Sequence, residues 1–385
     1  MGIYLDHAAT SPIRPEIKDL IASLYESEFG NPSSQHSYAR KAREILDGAR
    51  EQIAGLLNIN YGNIIFTSGG TESDNLALYG SVRNNLNQES AKISDILVSS
   101  VEHRAVLNSS AEIGKIFNLN LKKIPVDFNG RVQTDALEEL LSQNNGSDDR
   151  KLVSVMASNN EIGTVQPFRE IFDKVKSANE NNIYHCDAVQ GAGWLNLPEI
   201  VANSDLVSIS SHKLGGPVGV GALIVNGGQK IMPQIIGGGQ ERQRRSGTND
   251  VIGAAGLAMA VKLTLEKDHE YFKKLKQKFV SDLLSQVPDV FETVPSELSV
   301  DGMVHLTVKN VNSEELLFLL DESDLAASAG SACSSGSIAP SHVLQAIGVA
   351  DSGSAFIRLS FGWSTTEVDL NGAVSIIKNC TEKLR

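Results

Sequence analysis

Cysteine is scarce in this sequence: three among 385 residues, Cys186, Cys333 and Cys380, far apart and never in a Cys-x-x-Cys pair. That excludes a disulfide framework and a zinc ribbon. Long apolar runs are missing too, and none approaches the roughly 18 residues that a membrane helix needs. Positive charge is in deficit, with 34 Lys+Arg against 46 Asp+Glu for a formal net charge of −12. Such a balance argues against a chain whose main work is gripping nucleic acid or an anionic membrane. The start, Met1 to Pro12, has no basic segment followed by an apolar one, so no signal peptide is expected. Asp6 stands where a myristoylation motif wants Ser or Thr. The expectation is a soluble, cytoplasmic globular protein, an enzyme by default, long enough for a large core and more than one domain.

From about residue 60 to 226, short apolar runs alternate with helical patterns. Strands are expected at Ile64–Thr67, Ile96–Val98, Leu152–Met156, Asn182–Cys186, Leu206–Ile209 and Ala222–Val225. Their near-continuous apolar character, with helix-length spacers, points to an α/β fold: a mainly parallel sheet with helices on both faces. Upstream, Ala39, Ala42, Ile45, Leu46, Ala49, Ile53 and Leu56 mark an amphipathic helix. One long helix is expected from Ile252 to Val287. Beyond it the style changes to a strand at Val304–Val308, a helix opened by Asn312-x-x-Glu315, a strand at Ala355–Leu359 and a last helix carrying Val374, Ile377 and Leu384. A large domain over 16–262 and a smaller α+β domain from 1–15 and 263–385 are expected. Asn144–Asp149 reads as a surface loop.

Three strand ends carry chemistry. Ile64–Ser73 is a strand, a glycine turn and a helix start, where free N–H groups would hold a phosphate. A plain strand–helix turn fits that segment equally well, and no Gly-Lys-[Ser/Thr] makes it a nucleotide loop. Asp187 ends another apolar strand, where a carboxylate is costly unless it meets a cation. His185, Cys186 and Asp187 do not make a metal site, because successive strand residues face opposite ways. Lys213 follows a third strand in a glycine-rich turn, a candidate for Schiff-base chemistry, although a surface lysine would read the same. Together, the cradle, the acid and the lysine fall in the order of a pyridoxal 5′-phosphate site, the acid keeping the pyridine nitrogen protonated.

With these residues in order, the chain resembles the cysteine desulfurases of the NifS/IscS type, among the class V aminotransferase-like enzymes of pyridoxal-phosphate fold type I. The resemblance runs through Leu5–Thr10, Phe29–Ser34, Thr67–Asn75, Glu102-His103, Asn159–Gly163, Asp187–Gln190, Ser210–Lys213, Arg245–Thr248 and Ser328–Gly336. It implies Lys213 as the Schiff-base lysine, Asp187 on the pyridine nitrogen, Gln190 on the ring hydroxyl and His103 stacked on the ring as acid/base. Gly70, Thr71, Ser210 and His212 match phosphate ligands. Thr248 matches a phosphate contact from a neighbouring subunit, implying a homodimer. Asn31, Asn160 and Arg358 match substrate-placing groups, Arg358 for the carboxylate.

Cys333 matches the family's nucleophile, in a Ser/Ala/Gly-rich stretch that packs poorly. Cys186 and Cys380 read as packing residues. The implied reaction turns L-cysteine into L-alanine and leaves a persulfide on Cys333. The Cys333–Pro340 loop resembles group I members, which hand sulfur to an acceptor protein such as an iron–sulfur scaffold or a tRNA-thiolation enzyme. A class V aminotransferase or a selenocysteine lyase is the alternative of the same fold. Relatives often have an aromatic residue at the position of Gly215, Lys in place of Val218 and Arg in place of Trp363. The tail that longer members use to dock the scaffold is not expected after Arg385. Arg242–Arg245 reads as a solvated basic loop beside the pocket rather than an RNA contact. No direct nucleic-acid contact is expected.

Overall fold

The computed structural model describes residues 2–27, 30–85, 92–143, 149–330, 341–349 and 353–385. Its strands, in chain order, are β1 (Ile3–Tyr4), β2 (Ile64–Thr67), β3 (Ile93–Ser99), β4 (Asn120–Ile124), β5 (Arg150–Ser154), β6 (Ile183–Asp187), β7 (Leu206–Ser210), β8 (Gly221–Val225), β9 (Val290–Glu292), β10 (Met303–Lys309), β11 (Leu325–Ala326) and β12 (Ser354–Ser360). Seven form the main sheet in the order β2-β8-β7-β6-β5-β3-β4. All neighbours in it are parallel except β8, which runs against both β2 and β7. The six strands expected from apolar runs all lie in this sheet, and β5, β6, β7 and β8 are fully or almost fully buried because helices cover both faces.

With β8 alone reversed, β2, β7, β6, β5 and β3 end on the same edge. That edge, outside the carboxyl ends of the strands, is where an α/β sheet leaves a crevice for a ligand. A second sheet, β12-β10-β9, is antiparallel, and β1 pairs in parallel with β11. Leu5 packs in one apolar core with Phe272, Phe279, Leu306, Leu320, Ile357, Phe361 and Ile377. A larger core around Ile53, Val153, Cys186, Val207, Leu257 and Val261 fills one side of the main sheet.

The amphipathic helix is Ser37–Leu57, burying Ala39, Ala42, Leu46, Ala49 and Ile53. The single long helix expected over Ile252–Val287 is two helices, Val251–Leu265 and His269–Gln286. The break is built by Asp268, whose carboxylate accepts the Tyr271 N–H at 3.0 Å and starts the second helix. Asn312 caps the helix Ser313–Glu322 by accepting from the N–H groups of Glu314 and Glu315, and the last helix is Glu367–Leu384. Residues 144–148 of the expected surface loop lie outside the described residues. Cys186 and Cys380 are buried, as packing residues should be.

Candidate active site

The crevice at the strand ends holds a cavity of about 310 Å³. Its floor starts at β2. After Thr67 the chain passes Gly69 at φ 150°, a conformation that favours glycine, and enters the helix Gly70–Asn85. A Cβ on Gly70 would lie 2.6 Å from Val189 Cγ2, so only glycine lets the helix start this close to the β6 turn. Gly70, Thr71, Ser210 and His212 therefore come together on the cavity wall. The first N–H groups of a helix favour an anion. Burial and the Lys213 charge push His212 down to about 4, and its Nδ1 lies 3.2 Å from Thr10 Oγ1.

Lys213 sits in the tight turn Ser211–Leu214, which Gly215 closes at φ 80°. Its Nζ donates to the carbonyls of Ala8 and Ala9, the latter at 2.7 Å. Trp363 covers the missing side chain of Gly215: a Cβ there would meet Trp363 Cδ1 at 3.0 Å. An aromatic side chain on Gly215 and the indole of Trp363 thus compete for one space.

At the opposite end Asp187 is buried at the tip of β6 and accepts the Val189 N–H at 2.9 Å. Two further acids that sequence reasoning assigned no role, Asp74 and Glu102, are buried nearby. Burial raises all three carboxyls, and the charge of Asp187 raises Asp74 and Glu102 further. His103 and Lys213 pull Asp187 the other way. His185 does not relieve Asp74, 3.6 Å away, because burial holds its pKa at about 3 and keeps it neutral. A buried acid facing a cavity in such surroundings suits a cationic ligand group. Their signal in the sequence was position: Asp74 lies one helical turn after Gly70, and Glu102 directly precedes His103.

His103 caps the helix Arg104–Phe117, its Nδ1 accepting the Ala105 N–H at 3.1 Å. With Nδ1 accepting, the proton this ring can offer to the cavity is the one on Nε2. Arg358, on β12, is 2 % exposed and is held at two corners, by Asn160 O and by Asp6 Oδ1, each at 2.7 Å. Its Nε–H has no partner. Gln190 Oε1 is likewise buried and unpartnered. Asn160, Gln190, His103 and Arg358 all line the cavity.

Asn31 and Thr248 do not line the cavity of their own chain; both are exposed. Asn31 accepts the Ser33 N–H at 2.9 Å in a local turn. Thr248 rides on a loop in which Glu241, Arg242 and Gln243 all have positive φ. Buried Glu241 pins that loop through a two-point ion pair with Arg50, at 2.8 and 3.0 Å, and accepts the Phe66 N–H. Cys333 lies outside the described residues. The flanks of its segment touch the site: Gly330 lines the cavity, Ser341 donates to Glu161, and His342 Nε2 bonds the carbonyl of Glu102 at 2.9 Å.

The parts of this cavity are those of a pyridoxal-phosphate site: an anion cradle, a lysine and a buried acid. The chain belongs to the aminotransferase class-V family, whose model matches residues 3–372, and that family is pyridoxal-phosphate-dependent. Within it the chain is similar to cysteine desulfurases over its whole length. It is 39 % identical to cysteine desulfurase IscS of Dictyoglomus turgidum, covering 100 % of this chain and 95 % of that protein. It is also 39 % identical to the putative cysteine desulfurase IscS 1 of Bacillus subtilis, covering 99 % of each. A solved NifS-like protein superposes with a TM-score of 0.88 at 32 % identity, covering 100 % of both chains.

Proposed function

We propose that this chain is a pyridoxal-phosphate-dependent cysteine desulfurase that moves sulfur from L-cysteine onto Cys333, for delivery to an acceptor protein in iron–sulfur assembly or tRNA thiolation. The observation that carries the reading is one cavity bounded by Lys213, Asp187 and Arg358, with Gly330, three residues before Cys333, on its wall. The residues fit the cofactor. Gly70, Thr71, Ser210 and His212 would hold its phosphate, Asp187 its ring nitrogen and Gln190 its ring hydroxyl. When bound, the cofactor supplies a ring that accepts the electron pair left at the substrate Cα.

The chain's own groups do the rest. Arg358 offers its unpartnered Nε–H to the substrate carboxylate while Asp6 and the Asn160 carbonyl fix the guanidinium plane. Lys213 moves the Cα proton at Nζ, close to the Ala8 and Ala9 carbonyls. His103 offers its Nε2 proton to the reacting end of the substrate. Cys333 attacks the substrate sulfur as a thiolate; an S–S bond forms as the C–S bond breaks, Cβ keeps that electron pair and takes up a proton, and alanine leaves.

The reading divides the chain into a cofactor-holding part, 16–262, and a smaller part, 1–15 with 263–385, a division supported by the second apolar core, whose buried members all come from the smaller part. A homodimer belongs to it, supported by the exposure of Thr248 beyond its own cavity. No described helix is long and apolar enough to cross a membrane, in keeping with a cytoplasmic place of work.

The test is incubation of the holoenzyme with L-cysteine, followed by an alanine assay and the mass of the Cys333 peptide. Alanine should appear and the peptide should gain one sulfur atom. Lys213→Ala should slow alanine formation by about 10³-fold, and Cys333→Ser should abolish the persulfide. Native-rate sulfur release by Cys333→Ser would overturn the reading.

A further inference from the structure

Behind the Lys213 turn lies a second, much smaller cavity of about 30 Å³. Lys213 and Gln190 belong to the walls of both cavities. Two cations join them in the smaller wall, Arg14 and Lys267, and partners that line the same hollow fix their charged ends. Lys267 Nζ donates to the Gly193 carbonyl and sits 3.3 Å from the centre of the Trp194 ring. Arg14 Nε donates to the Leu214 carbonyl at 3.2 Å, and its guanidinium carbon lies 5.9 Å from the Trp363 ring centre.

No described residue of this wall is acidic. His7 also lines it, but burial pushes its pKa down to about 4, so it is neutral, with Nδ1 3.1 Å from Ser11 Oγ. Burial, and after it the Arg14 charge, lower Lys267 well below the usual lysine range, against the pull of Asp301, which is not part of the wall. Thr264 completes the picture. It is 3 % exposed, and its hydroxyl has no partner.

A water molecule would satisfy the Thr264 hydroxyl but would not relieve the unfavourable action of the Arg14 charge on Lys267. A negative ion satisfies both demands. Room on the scale of one or two waters admits a halide and not a tetrahedral oxyanion. We propose that this cavity is a binding site for a single small monovalent anion of the chloride class, held between Arg14 and Lys267 with the Thr264 hydroxyl as a donor. The site stands apart from the desulfurase reading, since nothing in it depends on the reaction at Lys213.

The test uses holoenzyme prepared without chloride. Crystals soaked in sodium bromide should show an anomalous bromine peak between Arg14, Lys267 and Thr264. In solution, bromide should raise the unfolding temperature saturably, by about 2 °C over sodium gluconate at equal ionic strength. Lys267→Met should lose both signals. Thr264→Val, which keeps the shape and removes only the donor, should weaken the saturable rise at least several-fold. A cavity holding water alone after the soak, or a bromide-dependent rise equal in wild type and both variants, would overturn the proposal.

Discussion

A buried imidazole works against the fold when acid is added. His305, on β10, is 2 % exposed; its Nδ1 lies 2.8 Å from Thr293 Oγ1 and its Nε2 has no partner. Burial, aided by the Arg358 charge, lowers its pKa from 6.5 to about 3. Below pH 6.5 the unfolded chain therefore takes up a proton that the native chain refuses, so this stabilising contribution drains away as pH falls towards 3. Between pH 7 and pH 5 the loss is about 2 kcal/mol. Asp74, Glu102 and Asp187 act with the opposite sign: their raised pKa values favour the native state as they gain protons. The pH dependence of the wild type mixes both, and a substitution separates them. His305→Gln should lose about 2 kcal/mol less than wild type on going from pH 7 to pH 5, measured by urea unfolding at each pH. At this scale the sequence was legible where a residue broke the local pattern, as Asp187 and Lys213 do at the ends of apolar strands. Asp74 and Glu102 carry only a positional signal: Asp74, early in a helix, reads as an ordinary response to the helix dipole, and Glu102, just before the cap His103, reads as a turn residue.

At the scale of elements, Asp268 separates two helices that share one apolar rhythm. Phe272, Leu275, Phe279 and Leu283 continue a period that the sequence carries through Leu257 and Val261, and a period does not record a change of direction. Only the capping chemistry does. Asp268→Ala should cost about 1 kcal/mol in chemical denaturation, with the helix ending at Leu265 unaffected. Buried strands were readable because each carries a short apolar run, such as Ile64–Phe66, Ile96–Val98 or Ala222–Val225. β4 was not: Asn120–Ile124 is an edge strand with two lysines, mostly exposed, and protected edges are polar by necessity. β1 and β11, two residues each, are too short for any pattern. The departures around Lys213 also resolve at this scale. The aromatic residue missing at Gly215 and the one present at Trp363 occupy the same space from opposite sides.

For the whole molecule, Thr248, like Asn31, is an expected site residue that does not line the cavity of its own chain. The pairing proposed above predicts a sedimentation mass twice the 41.3 kDa of the chain. In that assembly Thr248→Ala should weaken retention of pyridoxal phosphate by about tenfold, one hydrogen bond to a charged group, as read by cofactor release on dialysis. A monomer with full cofactor retention would refute the pairing. The net charge of −12 disfavours a direct grip on tRNA.

The opening residues also set a timetable. Ile3 and Tyr4 pair with Leu325 and Ala326, Asp6 bridges Ser360 and binds Arg358, and the carbonyls of Ala8 and Ala9 receive Lys213. On the ribosome Ile3, Tyr4 and Asp6 thus wait for partners made more than 300 residues later, whereas Lys213 follows Ala9 by 204. At about 5–20 residues per second that wait is roughly 15–70 s. The nascent chain can finish most of its main sheet in that time, but it cannot seat Arg358. Competence to bind substrate arrives late in synthesis, when Asp6 meets Arg358.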